Sequence, residues 1–237
     1  MSIERLNLTQ IVAEIRRNLG ESVAARSHIT STNTDDTNIY RVVNRIAQQL
    51  PKRLGEIERG EGRQTKDGCM YLDCWRTPLT ALTTEAAGDA TLYLPVDYGR
   101  YIAFYDNTGA KTLRVVENVD KWHVAILKAA TTAATPKAIE IYGYETKGAN
   151  FVRRCEVYPG PTGSVTPSVS VTYWRIPAKM DGASPDSAYP DIDPVFQDIF
   201  IYEGTKELMR KDDPMFSRFD EKSMAMLANM AYTARAA

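Results

Sequence analysis

The sequence predicts an α+β protein: a small helical bundle formed by the N- and C-terminal helices, with an inserted antiparallel β-domain. Three observations support this. Apolar residues recur at helical spacing near both ends, they alternate at strand spacing in the middle, and glycine- or proline-rich stretches separate the two textures. We therefore assign residues 1–60 to the N-terminal helices, 61–178 to the β-domain, as a sandwich or small barrel, and 179–237 to the C-terminal helices and a docking tail.

The composition is that of a globular protein with no strong attraction to nucleic acid or membrane. Hydrophobic residues make up 43% and charged residues 25% of the 237 residues, and the formal net charge is −1. No apolar run approaches the roughly 18 residues that span a bilayer. The charged start "MSIERLNLTQ" does not resemble a signal peptide, so we expect synthesis in a cytoplasm and no membrane association.

Two amphipathic helices are predicted near the N-terminus. The first, in "NLTQIVAEIRRNLG", begins after a cap at Asn7 and ends at Gly20. A polar loop follows and ends near a cap at Asp35 or Asp36. The second helix, in "NIYRVVNRIAQQLPKRLGEI", should end or kink at Pro51, because proline lacks the amide proton.

The middle of the chain predicts short strands. After the polar linker "RGEGRQTKDG", runs rich in β-branched and aromatic residues alternate with turn signals. No helical pattern of crossover length lies between them, which favours antiparallel pairing. The predicted strands are "ATLYLPV", "RYIAFYD", "TLRVVEN", "WHVAILK", "KAIEIYGYE", "FVRRCEVYP" and "SVSVTYWRI".

The helical period returns in two C-terminal helices. Asp193 is expected to cap the first of them, with Pro194 at its first position, and "DDPMF" starts the second. The first has apolar residues on more than one face. The alanine-rich end "MAYTARAA" is expected to be mobile until a partner docks it.

No pattern in the sequence indicates catalysis, a metal site or a cofactor. His28 and His123 are the only two histidines, the three cysteines lack zinc-site spacing, and neither a phosphate-binding loop nor a nucleophile elbow is present. An acidic group resembles solvated turn residues more than a calcium loop. This group comprises Asp181, Asp186, Asp191 and Asp193.

Two residue sets leave a binding function open. Basic residues on the first two helices are interpreted as a solvated face in preference to a nucleic-acid site; they are Arg16, Arg17, Arg41, Arg45, Lys52 and Arg53. Aromatic residues of the β-domain favour packing, but a carbohydrate- or nucleic-acid-binding β-module that uses exposed rings is the alternative function. They are Tyr93, Tyr101, Phe104, Tyr105, Trp122, Tyr142, Tyr144 and Trp174.

The stretches "YPGPTGSVTPSVSVTYWRIPAKM" and "YPDIDPVFQDIFIYEGTKELMRKDD" resemble tailed-bacteriophage head-to-tail adaptor proteins. In that family a strand ends in an aromatic-proline pair, a hairpin leads into an alternating strand that contains tyrosine, and an acidic proline start opens a helix. The second helix, "IYRVVNRIAQQL", is also similar. The motif positions, interpreted as packing residues, are Tyr158, Pro159, Tyr173, Pro177, Pro194 and Phe196.

The resemblance implies a structural virion protein and no enzyme. Such adaptors form a ring, dodecameric in the family, below the portal; the ring joins the capsid to the tail or nozzle protein and extends the channel through which DNA passes without sequence-specific binding. On this basis the C-terminal helices hold the candidate oligomer or portal contacts. These are Phe200, Tyr202, Met224, Leu227, Met230, Tyr232 and Arg235.

Overall fold

The computed structural model describes residues 4–23, 36–63, 68–84, 89–108, 110–116, 136–160 and 167–236. The chain divides into two compact units. The helical unit comprises Met1–Trp75 together with Ile176–Ala237, and the barrel unit comprises Arg76–Arg175. The α+β fold class predicted from the sequence is confirmed, with four α-helices and eight strands among the described residues.

Helix α1, Leu8–Val23, begins with a reciprocal cap. The Gln10 amide donates to Asn7 Oδ1 at 2.9 Å, and the Asn7 amide donates to Gln10 Oε1 at 2.8 Å. The predicted cap at Asn7 is therefore confirmed. The predicted end at Gly20 is wrong, because the helix runs through this exposed glycine to Val23.

Helix α2, Asp36–Gly60, passes through Pro51. Of the two predicted alternatives at this residue, an end or a kink, the end is therefore wrong. Proline removes one backbone hydrogen bond, but Leu50 and Leu54 beside it are fully buried and hold the helix by packing. The Pro51 carbonyl also accepts a hydrogen bond from the Met70 amide at 2.7 Å. The segment after α2 therefore returns along this helix.

Helix α3, Asp198–Leu208, is central in the helical unit and contacts α1, α2 and α4. Its apolar residues on more than one face contact these neighbours in its own chain. Asp193 accepts from the Val195 amide at 2.9 Å, but it caps a short 3-10 turn, Pro194–Phe196. The α-helix itself starts at Asp198, so the predicted cap position is wrong for α3.

Helix α4, Phe216–Ala236, includes almost all of the alanine-rich end. Met230 and Ala231 are fully buried in the helical unit. The expectation that this end orders only on docking is therefore wrong. These two core residues pack this part of the helix against its own chain.

The barrel unit is one sheet with the strand order β1-β8-β4-β5-β6-β7-β3-β2. Its strands in chain order are β1 Thr80–Ala81, β2 Thr83–Thr84, β3 Thr91–Tyr93, β4 Tyr98–Asp106, β5 Lys111–Val116, β6 Ala138–Lys147, β7 Asn150–Tyr158 and β8 Val169–Arg175. The edge strands β1 and β2 are separated only by Leu82, whose amide donates to the Val169 carbonyl at 2.8 Å. One extended segment therefore pairs with both edges and closes the sheet into a barrel-like shape.

Most strand pairs are antiparallel, as predicted, but β5 and β6 are parallel, with Arg114 opposite Ala138. A parallel pair needs a connection of a dozen or more residues, and the chain between Val116 and Ala138 exceeds this length. The antiparallel pairing inferred from the lack of a helical pattern of crossover length is therefore wrong for this pair. The predicted strand "WHVAILK" lies outside the described residues, as do His28 and His123.

The barrel core consists of inward-facing residues from all of its long strands. Phe104, Ile139 and Val171 are fully buried at its centre. The chain enters and leaves this unit side by side, because Arg76 forms an antiparallel bridge with Trp174. The Thr77 amide and hydroxyl both donate to the Tyr173 carbonyl, each at 2.9 Å.

Candidate interaction surfaces

A network of charged side chains joins α2, α3 and α4 inside the helical unit. Glu203 of α3 is fully buried and forms ion pairs with Arg53 of α2 and with Lys206, the latter at 2.7 Å. It also accepts a hydrogen bond from the Ser223 hydroxyl of α4. A buried carboxylate needs such compensation, because an unpaired charge there is strongly unfavourable.

The network continues to the surface along a groove between α2 and α4. Arg53 Nη2 lies 2.5 Å from Glu207 Oε1, and Lys206 Nζ lies 3.1 Å from Asp220 Oδ1. The apolar lining of the groove includes Ile57 and Met224. The lining of this groove therefore combines ion-paired charged side chains with apolar ones.

The predicted contact residues fall into two groups. Phe200, Leu227 and Met230 are buried in the protomer's own core, where they stabilise the helical unit. Met224 and Tyr232 are 46% and 70% exposed on α4. The second group, and not the first, is accessible to another protein.

Tyr202 and Arg235 have partners within the helical unit. Tyr202 is half-buried, with the Lys222 ammonium 5.2 Å from its ring centre, and burial raises its pKa. Arg235 forms ion pairs with Glu58 and Glu61 of α2. The hydrogen bond to Glu58 raises the pKa of this guanidinium, and the pairs fasten the end of α4 to the end of α2.

The motif tyrosines of the barrel unit are buried and hydrogen-bonded. Tyr158 precedes a cis peptide bond to Pro159, and its hydroxyl lies 2.7 Å from Glu156 Oε2 and 3.0 Å from Glu140 Oε2. The Tyr173 hydroxyl donates to Asp97 Oδ1 at 2.8 Å. Burial is the largest cause that raises the pKa of both phenols, so both remain protonated acids that donate hydrogen bonds.

The motif residues of the helical unit lie around the segment that precedes α3. Phe196 and Pro177 are buried, and Pro194 is half-buried. Nearby, the fully buried Trp75 donates from Nε1 to the Asp191 carbonyl at 2.6 Å. The surroundings of these residues are those of packing positions.

Most of the basic residues on α1 and α2 are engaged by carboxylates. Arg16 pairs with Asp36 at 2.6 Å, Arg17 with Glu14 at 2.5 Å, and Arg45 with Glu207. Arg41 and Lys52 are exposed. These pairs agree with a solvated helix face that carries both signs of charge.

The aromatic set of the barrel unit is distributed between core and surface. Tyr93 and Phe104 are buried, while Tyr101, Tyr105, Tyr142 and Trp174 are half-buried. Tyr144 is 55% exposed. Trp122 lies outside the described residues.

The comparison with known families identifies the chain. The family model described as SU10 adaptor protein matches residues 6–237, which include both units. The chain belongs to the SU10 adaptor protein family. The adaptor is thus a structural component of a bacteriophage virion, as the resemblance implied, and its family implies interaction with portal and tail proteins. No curated protein matches the chain.

The adaptor's described residues show two further features. Within them, no three His, Cys, Asp or Glu side chains are grouped so as to hold a metal ion. None of the described helices combines the length and the hydropathy needed to cross a membrane. Adaptors of this family are structural phage proteins and are not known as enzymes.

Sequence reasoning missed two features of the adaptor's surface. Phe151 stacks on Tyr144 with ring centres 5.1 Å apart, although it was not singled out among the aromatic residues. Tyr189 and Val195 are exposed beside the aspartates that precede α3. A partial signal for the first was available, since Tyr144 and Phe151 lie near the facing ends of the consecutive predicted strands "KAIEIYGYE" and "FVRRCEVYP".

Proposed function

We propose that this protein is the head-to-tail adaptor that forms a ring below the portal, joins the capsid to the tail or nozzle protein and extends the DNA channel. The observation that carries the proposal is the family match over residues 6–237. The ring is dodecameric by resemblance to head-to-tail adaptors. The protein is made in the host cytoplasm, joins the virion during tail assembly and lies on the path of genome ejection.

The helical unit supplies the proposed contacts with the portal. Met224 and Tyr232 lie two turns apart on α4, and both are exposed. Met224 lines the groove, and Tyr232 lies towards the C-terminal end of the helix. A methionine and a tyrosine provide adaptable apolar contact area at protein interfaces. The fastening of Arg235 to Glu58 and Glu61 presents the last turns of α4 as a preformed surface.

The charge of the protein supports a conduit for DNA. Its formal net charge is −1, and most of the arginines on α1 and α2 are paired with carboxylates. Binding to the phosphate backbone depends on the number of phosphates that Lys and Arg neutralise. A channel wall with few unpaired cations lets DNA pass without being retained.

The test is assembly of the purified protein on the portal ring of the same phage, followed by electron microscopy and light scattering. We expect a second ring below the portal, and weaker binding when Met224 and Tyr232 are both replaced by Asp. Leu79→Asp, at an exposed position of the barrel unit, is the matched control and should bind normally. A protein that stays monomeric and never joins portal particles contradicts the proposal.

A further inference from the structure

The hairpin formed by β6 and β7 projects beyond the rest of the described sheet. The two strands pair with each other from Ala138 opposite Tyr158 to Lys147 opposite Asn150. Strand β5 pairs with β6 only as far as Glu140, and the contacts from β3 and the segment after it reach β7 only at Arg153 and beyond. Among the described residues, the hairpin tip (residues 142–154) is therefore largely a two-stranded ribbon.

The hairpin tip presents an aromatic pair to solvent. The rings of Tyr144 and Phe151 are stacked with an angle of 3° between their planes, and the two residues are 55% and 65% exposed. The Arg153 guanidinium lies 5.2 Å from the Tyr144 ring centre. Single exposed apolar residues are ordinary, but adjacent aromatic rings with an arginine have the composition of an interface centre.

A second surface of the same chain has the opposite charge. The acidic segment (residues 181–195) contains four aspartates and no lysine or arginine, and the hairpin tip contains three basic residues against one glutamate. Within the acidic segment Tyr189 and Val195 are 42% and 53% exposed. The Arg5 guanidinium lies 4.9 Å from the Tyr189 ring centre, and Arg154 of the hairpin tip pairs with Glu145 at 3.2 Å. With these charges included, each surface still carries an excess of one sign beside exposed apolar side chains, and the two signs are complementary.

Backbone hydrogen bonds hold the acidic segment in place. The Leu8 amide donates to the Ala188 carbonyl at 2.8 Å, and the Arg5 guanidinium donates to the Pro190 carbonyl at 2.7 Å. The Asp193 side chain is fixed by its bond from the Val195 amide. A partner would therefore meet an ordered surface, which lowers the entropic penalty of binding.

We propose that the hairpin tip of one protomer docks on the acidic segment of a second copy of this chain, and that this contact links neighbours head to tail. The proposal rests on the ring in the proposed function and names the surfaces that form it. Contacts between two hairpin tips, or between two acidic segments, would oppose like charges. A heterologous contact avoids this, and repeated contacts of this type close into a ring.

The first test is zero-length carbodiimide cross-linking of the full-length protein assembled on portal rings. A mixture of light and heavy isotope-labelled protein distinguishes links between copies from links within a copy. We expect Lys147 of one copy to join a carboxylate among Asp181, Asp186 and Asp193 of another. Links from Lys147 only to the portal or tail protein, or only within one copy, overturn the proposal.

The second test compares variants whose folding is checked by circular dichroism. The double variant Tyr144→Ser with Phe151→Ser should raise the concentration for half-maximal ring assembly at least tenfold. Arg153→Glu should act in the same direction, and high salt should weaken assembly of the unaltered protein. The controls Val96→Ser, at an exposed apolar position, and Lys137→Glu, at an exposed cation outside the hairpin tip, should stay within twofold.

The two tests separate the proposals. Rings on the portal that form without the expected link, or that form equally well with the double variant, overturn the hairpin contact and leave the adaptor function standing. Unaltered protein that never joins the portal overturns both. If the double variant does not fold, cross-linking of the unaltered protein decides.

Discussion

Replacing Gly55 by alanine tests how tightly the segment after α2 packs on this helix. A Cβ atom at residue 55 would lie 2.1 Å from the Gly68 carbonyl oxygen and 2.6 Å from the Gly68 carbonyl carbon. Both are backbone atoms, so rotation of a side chain cannot relieve the overlap. The segment would have to move by roughly 1 Å in a region packed at the density of a protein interior.

The expected loss in the free energy of unfolding is the difference between opposing effects of the added methyl group. Alanine in place of glycine inside a helix gains about 1 kcal/mol. Overpacking of this kind costs about 1–3 kcal/mol, and the bond from the Met70 amide to the Pro51 carbonyl, which holds the displaced segment, contributes about 1 kcal/mol more. We expect Gly55→Ala to lower the free energy of unfolding by about 2 kcal/mol, or the melting temperature by about 4–8 °C.

The assay is thermal and urea unfolding followed by far-ultraviolet circular dichroism, which reports the helices. Gly20→Ala is the matched control, because no atom lies within 4 Å of the added Cβ and the residue lies inside α1. It should raise the free energy of unfolding by about 1 kcal/mol. A Gly55→Ala protein that is as stable as the Gly20→Ala protein refutes the reasoning.

Three further predictions concern buried or half-buried side chains. Glu203→Ala leaves Arg53 without its buried partner and should lower the free energy of unfolding by about 3 kcal/mol in urea titrations. Asn44→Ala removes two hydrogen bonds, at 3.1 and 2.7 Å, to the backbone of Met180 and should lower it by about 2 kcal/mol; an unchanged urea midpoint contradicts this. Burial raises the pKa of Tyr98 above its ordinary value of 10.0. This residue should therefore not change the free energy of unfolding below about pH 10. Above that pH only the unfolded phenol ionises, so the free energy of unfolding should fall with pH, by at most about 1.4 kcal/mol per pH unit. Tyr98→Phe should make this fall with pH less steep.

Local signals in the sequence predicted those parts of the fold that local chemistry decides. The spacing of Leu8, Ile11 and Ile15 defines one buried face of α1, and all three are fully buried. The Asn7 cap needs only its own side chain and Gln10, three residues away. Alternation in the barrel strands likewise predicted where strands lie, since burial of one face imposes a period of two.

The errors arose where distant residues override a local preference. Pro51 is tolerated because the residues around it are buried against other helices, and Gly20 does not end α1 although glycine often ends helices. The alternation of residues 111–116 and 138–147 carries no information on strand direction, so the parallel pair was not predictable from the pattern. Among the partners of Glu203, Lys206 lies on the same helix, but Arg53 comes from α2 and Ser223 from α4, so the set was not visible in any local pattern.

Part of the candidate surfaces was predictable from local signals in the sequence. Exposure of Met224 and Tyr232 follows from the helical period of α4 once its buried face is known. The burial of Phe200 was not predictable, because it depends on how many helices surround α3. The pairing of Tyr144 with Phe151 depends on the register of one hairpin, in which Gly143 at a φ of +49° accompanies a shift between Tyr142 and Tyr144.

The bridge between Arg76 and Trp174 gives the barrel unit the character of an exchangeable module. Two chain ends that lie on neighbouring strands can be joined by a short turn, so the helical unit should tolerate a glycine-rich dipeptide or tripeptide in place of residues 77–173. Circular dichroism of such a deletion would show a cooperative helical transition, and a molten protein would argue against it. Recombination between structural genes would then be able to exchange the barrel unit without changing the sequence of the helical unit.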